Sequence, residues 1–217
     1  MIPPRIRLDN RPAPNLDAFF MPTMELQKSL PSQLTKLRFF DRFMANHKGY
    51  IAGGCFKNLF LGEKIKDIDL FFESEDEALE AERHYAGNNE YTQAWRNDRV
   101  SAFRDSKTGI VVEVIFSFVG EPAEMVSKFD FSITKAFYAK GAEGEYEFFC
   151  HEKFFEHLMN RKLVIDDQIL FPISTFNRSF RYTRYGFFLC GESKEKLVSS
   201  LQGATMTGQN DFYAGID

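Results

Sequence analysis

Residues 50–72 read Tyr-Ile-Ala-Gly-Gly-Cys-Phe-Lys-Asn-Leu-Phe-Leu-Gly-Glu-Lys-Ile-Lys-Asp-Ile-Asp-Leu-Phe-Phe, and this stretch decides the fold. An apolar strand (Tyr50 to Ala52) enters paired glycines, a short amphipathic helix follows, and a second strand carries Asp67 and Asp69. Gly53 and Gly54 lack a Cβ, so the chain can turn sharply there and bring its N–H groups close to an anion at the start of the next helix. Lys57, one turn in, adds a charged donor. Side chains alternate along a strand, so Asp67 and Asp69 share one face while Ile68 and Leu70 point into the core. Two carboxylates this close repel unless a cation lies between them, and hard divalent ions such as Mg²⁺ take such oxygen ligands beside substrate phosphates. The layout suits a nucleoside triphosphate held on Gly53, Gly54 and Lys57. Its plain alternative is a tight turn followed by a strand with two solvent-facing acids.

Gly-Gly, twelve intervening residues and Asp-Ile-Asp-Leu, in strand-turn-helix-strand order, resembles the signature of the DNA polymerase β-like nucleotidyltransferases. The likeness is to the head domain of class II CCA-adding enzymes and bacterial poly(A) polymerases. It implies an α+β fold, a mixed sheet flanked by helices with a C-terminal helical segment, and Mg²⁺-dependent nucleotidyl transfer.

Three further stretches extend the resemblance. Ile110 to Phe116 is strongly β-forming, and Glu113 is its one charged residue. A carboxylate in an apolar run needs a partner or a metal; the family strand similar to this one delivers a third acid beside the Asp-x-Asp pair. The other reading of Glu113 is an edge-strand glutamate. Lys128 to Tyr138 resembles the family's Arg-Arg-Asp-x-Thr-x-Asn-Ala segment, which implies nucleotide contacts for Asp130 (ribose), Thr134 and Lys135, although Phe129 replaces an arginine and Lys135 an asparagine. From Phe171 the text resembles an arginine-rich neck helix, with Arg178 and Arg181 in its Arg-x-x-Arg. Together with Arg184 they form the expected basic patch for RNA, or else a solvated helix face. Where the family reads the edge of the base, this chain has Pro172 and Thr175, which offer neither a carboxylate nor a guanidinium. The family's order of CTP and then ATP is therefore not carried over.

Outside these motifs the sequence bounds the reading. A chain of 217 residues suits a catalytic domain with a small helical appendage, and a formal net charge of −4 confines any nucleic-acid contact to one face. Twenty-five phenylalanines suggest a heavily aromatic core. Three scattered cysteines fit buried thiols in a reducing compartment, and without a leader or an apolar run of spanning length the expectation is a cytoplasmic protein away from the membrane. The expected organisation is an irregular arm (1–22), a catalytic domain (23–150), a neck-like helical segment (151–202) and a flexible tail (203–217). Smaller expectations are a helix capped by Ser32 and running to about Asn46, a helix capped by Ser74, strands at 90–95 and 99–104, a helix at 151–161 and a last helix at 193–201. The activity expected is transfer of a nucleotide from a triphosphate to a hydroxyl, with an RNA 3′ end as acceptor and Asp67, Asp69 and Glu113 on the metal. The alternatives are transfer to a protein or small molecule, or a module that binds nucleotide or RNA without turnover.

Overall fold

A computed structural model describes residues 20–21, 35–141, 144–165 and 169–202. Ser32, the N-terminal arm apart from Phe20–Met21, and the tail beyond 202 lie outside the described residues. Strands are β1 (Phe20–Met21), β2 (Tyr50–Ala52), β3 (Asp67–Phe72), β4 (Tyr91–Arg96), β5 (Val100–Asp105), β6 (Val111–Val119), β7 (Ala136–Lys140), β8 (Tyr146–His151), β9 (Lys162–Leu163) and β10 (Phe188–Leu189). A 3-10 helix (Thr35–Phe43) precedes β2, and the α-helices are α1 (Cys55–Leu61), α2 (Glu75–Ala86), α3 (Pro122–Ser127), α4 (Phe154–Met159), α5 (Pro172–Arg184) and α6 (Gly191–Gln202).

Among the described residues the main sheet has eight strands in the order β1-β8-β7-β2-β3-β6-β5-β4. Every neighbouring pair is antiparallel except β3 and β6, which run parallel. A parallel pair needs a crossover, here α2 and the β4–β5 hairpin. Ser74 caps α2, its side chain accepting from the Glu77 N–H as the capping box predicts. The fold is thus a mixed α+β sheet flanked by helices with a helical C-terminal segment, as expected. β9 and β10 add a small parallel sheet.

The two faces of the main sheet are covered unequally. On one, the 3-10 helix, α1, α2 and the C-terminal elements bury a core running from Leu37 to Leu197, so residues on both sides of position 150 share one hydrophobic cluster. Aromatic rings link it: Phe56 lies 5.1 Å from Phe148, and Phe60 lies 4.9 Å from Phe155. On the other face a smaller cluster of Tyr50, Ala52, Phe71, Ile115 and Phe137 packs with Met125 and Val126 of α3 and with Phe129.

Several boundaries differ from the sequence reading. The first helix is 3-10, not α. Its buried residues Leu37, Phe40 and Phe43 recur every third position, the repeat that three residues per turn brings into line. Asn46 then takes a left-handed conformation, φ 65°, and ends the segment. Residues 129–135 are irregular, with β7 starting only at Ala136. His151 ends β8, and the helix after it is confined to Phe154–Met159.

His47 ties this first layer to α2. The Gly49 N–H donates to its Nδ1 at 3.1 Å, so the neutral ring carries its proton on Nε2, 2.9 Å from the Phe43 carbonyl. Burial and then His84 hold its pKa below 6.5 against the opposing pull of the Phe43 carbonyl. A histidine pKa depressed by folding gives stability that is complete above the unfolded value and declines as pH falls through 6.5 toward the folded value. Urea unfolding of the wild type is therefore expected to lose stability on acidification from neutral pH, with a smaller loss in His47→Gln.

Candidate functional site

The parallel pairing of β3 with β6 sets Asp69 beside Glu113 and Asp67 beside Val111. Residues paired across neighbouring strands project to the same face, and so do residues two apart on one strand. Asp67, Asp69 and Glu113 therefore share a face, the one bearing the smaller apolar cluster. Ile68 and Leu70, fully buried, point the other way. The row continues in both directions: Ala52 of β2 pairs with Asp69, and Ala102 of β5 pairs with Glu113. Asp67 is exposed, whereas Asp69 and Glu113 are half-buried.

The acids lie against the glycine turn. Gly53 has φ 92°, a conformation that an L side chain would strain, and its N–H donates to the Ala136 carbonyl at 3.2 Å. Gly54 follows as N-cap of α1, where an added Cβ would stand 3.2 Å from the Tyr182 hydroxyl of α5. Cys55, the first residue of α1, has its thiol pushed well above its ordinary pKa, chiefly by burial and then by the carboxylates of Asp69 and Asp67. The pairing of Ala52 with Asp69 sets that acid beside the residue preceding Gly53.

The donor set suits a hard divalent cation: three carboxylates, all oxygen, with one open to solvent. Among the described residues no group of three or more His, Cys, Asp or Glu side chains is gathered tightly enough to hold a metal ion. What is preformed is the shared face and the strand register, with Asp69 and Glu113 also engaged in contacts of their own.

Other expected contacts are arranged differently. Lys57 is buried; its ammonium pairs with Glu63 at 3.2 Å, bonds the Asn58 side-chain oxygen and lies 4.8 Å over the Tyr185 ring. Burial lowers its pKa and Glu63 opposes the shift. Lys57 thus fastens α1 to the end of α5, where the sequence reading gave it the phosphates. Arg178, expected on a basic surface, is 5% exposed and forms a buried pair with Asp130 at 2.7 Å, with Ser174 as a second partner at 3.0 Å. Asp130, assigned to ribose, is held by that arginine. Only Arg181 and Arg184 of the expected patch face outward.

Thr134 donates to the Phe131 carbonyl, and Lys135 is enclosed at 1% exposure. Phe129, where the family carries an arginine, is a core residue 5.9 Å from Phe71. Thr175 is closed off as well, its hydroxyl buried with no hydrogen-bond partner among the described residues. Two positions near the acids were not foreseen. Tyr182 meets the glycine turn, and Trp95 reaches the acid face through a bulge in β4 that alternation alone does not reveal.

A model of the Gabija anti-defense 2 family protein matches residues 25–161. The chain belongs to the Gabija anti-defense 2 family. The matched stretch takes in the glycine turn, all three acids and Asp130, and stops short of α5. The Gabija anti-defense 2 protein of Bacillus phage SPbetaL7 is 25% identical over 140 residues, covering 64% of this chain and 34% of that protein. The chain thus spans about a third of its curated relative. Similar solved structures are CCA-adding enzymes. One solved with ATP is 15% identical with a TM-score of 0.59, covering 90% of this chain and 50% of the other. One solved with CTP is 17% identical with a TM-score of 0.56, covering 85% and 47%. The Thermotoga maritima enzyme solved with tRNA is 17% identical with a TM-score of 0.54, covering 85% and 46%. At such identity the likeness is one of fold, and this Gabija anti-defense 2 family chain has the nucleotidyltransferase fold.

Among the described residues no helix is long and apolar enough to cross a membrane. In this family member Cys55 and Cys150 are buried and Cys190 is half-exposed. Burial pushes the Cys150 thiol far up, as it does that of Cys55, so neither supplies thiolate near neutral pH. Native alkylation followed by mass spectrometry is expected to label Cys190 well before the other two.

Proposed function

We propose that this chain is a metal-dependent nucleotidyltransferase that moves a nucleoside monophosphate from a triphosphate to an acceptor hydroxyl. As the name of its phage relative suggests, it would do so against Gabija defence. The observation that carries the reading is the register of β3 and β6, which sets Asp69 beside Glu113 with Asp67 on the same face, next to the Gly53 turn. Asp67, Asp69 and Glu113 would hold Mg²⁺; when bound, it supplies Lewis-acid stabilisation of the phosphoryl oxygens and acidifies the attacking hydroxyl. Gly53 and Gly54 would admit the triphosphate close to the backbone. Asp130 and Arg178, with Lys57 and Glu63, would act as positioning residues that fix α5 and the 129–135 segment around that space. Residues 23–150 would form the catalytic unit and 151–202 its neck.

The acceptor expected is an RNA 3′ end. A second reading, favoured by the relative's name, is a protein or small-molecule component of the defence. Labelled ATP, CTP, GTP and UTP, each incubated with the protein, Mg²⁺ and either total RNA or a cell lysate, separate these acceptors. Label in RNA supports the first and an added nucleotide mass on a protein or small molecule supports the second. No label from any triphosphate overturns nucleotidyl transfer.

A further inference from the structure

Among the described residues the acid face has an open end. Beyond Glu113 its row crosses Ala102 of β5 to Trp95 of β4, while the row of Asp67 crosses Val111 to Arg104 and Thr92. α3 packs chiefly on β2 and β7, with Phe71 of β3 and Ile115 of β6 in the same cluster. Trp95, Arg104 and Thr92 are exposed, Trp95 to 43% although it is the chain's sole tryptophan.

A lone exposed aromatic ring is ordinary on a protein surface, but this one is placed by a bulge. Gln93 pairs with Phe103, and regular alternation would next set Trp95 opposite Ser101, on the face packed by α2. The register shifts at Ala94, so Trp95 pairs with Ala102 and Arg96 with Ser101. The extra residue turns the indole out of reach of the main core and onto the carboxylate face. In its stead it turns Arg96 toward α2, where Glu82 binds it at 2.7 Å. Bulges beside functional sites commonly re-aim a side chain in this way. At about 4.8 Å per strand, Trp95 lies roughly 10 Å from Glu113 across the sheet. Arg104 sits on the same face one strand from Val111; one of its five N–H groups donates to the Gly109 carbonyl at 2.9 Å. Two acids of this region are directed elsewhere, Asp105 buried against Arg42 and Glu90 paired with Lys107, while Asp98 lies exposed in the hairpin loop.

An aromatic ring beside a cation, next to a carboxylate cluster that would bind cations, matches the chemistry of a single-stranded polynucleotide end: a base to stack, a phosphate to pair and a terminal hydroxyl to deliver. We propose that the β5–β4 end of the acid face binds the single-stranded 3′ end of a nucleic acid, with a base stacked on Trp95 and a phosphate on Arg104. The inference rests on the nucleotidyl-transfer reading and names its acceptor class.

The sole tryptophan reports its own contact. Short single-stranded oligoribonucleotides and oligodeoxyribonucleotides, titrated in EDTA without triphosphate, are expected to quench Trp95 fluorescence, and comparing the two sugars separates RNA from DNA ends. By anisotropy, Trp95→Ala should weaken binding roughly tenfold or more, the scale of one lost base–aromatic stack. Trp95→Phe should retain most of the affinity, and Arg104→Gln should lower the slope of log affinity against log salt by about one. Unchanged fluorescence together with unchanged affinity in Trp95→Ala overturns the site and leaves the indole to a protein partner. Label transfer by the wild type without quenching sinks this site and spares nucleotidyl transfer. Quenching with no transfer to any acceptor does the reverse.

Discussion

Asp69→Ala and Asp67→Ala are each expected to lower nucleotide transfer by about a thousandfold, read as labelled product per unit time. Stabilisation of transition-state charge by a bound cation is worth several kcal/mol, and each 1.4 kcal/mol or so is tenfold in rate. Losing a carboxylate from the shared face removes the site at which that stabilisation is delivered. Glu113→Gln, one strand away in register with Asp69, should show a loss of the same order. The folded state should tolerate Asp67→Ala, because this side chain is exposed and its removal relieves repulsion from Asp69. Near-UV circular dichroism unchanged alongside lost transfer separates a chemical role from a structural one. Transfer that survives both aspartate substitutions removes these residues from the reaction.

Breaking the Asp130–Arg178 pair is expected to give the largest loss of stability. Both side chains are 6% exposed, and the arginine is further held by Ser174. Removing either partner leaves a buried charge unpaired, a change that destabilises by about 3–5 kcal/mol. Urea unfolding of Asp130→Leu or Arg178→Met should show a loss on this scale. The double replacement should recover much of it, since it leaves no orphaned charge. Any fall in transfer by Arg178→Met should be restored in part by the double replacement if the arginine acts by positioning α5. A basic residue that touches RNA directly would show no such recovery, and its loss would reduce salt sensitivity instead.

What could be seen in the residues themselves follows from how local each signal is. The strand, glycine turn, helix and acid-bearing strand within residues 50–72 could be read because each depends on its own neighbours. Glu113 could be placed on a strand because a single charge in an apolar run is conspicuous, and the parallel register then brought it beside Asp69. Lys57, Asp130 and Arg178 were legible as polar residues in motif positions, but not as buried ones. Their partners Glu63, Arg178 and Asp130 are chosen by packing between α1, α5 and the 129–135 segment. The first helix misled because Leu37, Phe40 and Phe43 fit both a 3.6-residue and a three-residue repeat over so short a span. Trp95 was assigned to a strand without its face, since a one-residue bulge leaves no mark on composition and yet reverses which side the ring takes. The phenylalanines found their explanation only in the folded core, where rings from six separate elements meet.

The carboxylate face is tested most directly with Mn²⁺ as a spectroscopic stand-in for Mg²⁺, measured by electron paramagnetic resonance in the presence of a non-hydrolysable ATP analogue. Saturable Mn²⁺ binding is expected for the wild type, lost in Asp69→Asn and Glu113→Gln and kept in Trp95→Ala. Equal Mn²⁺ binding by the wild type, Asp69→Asn and Glu113→Gln would show that these carboxylates hold no metal.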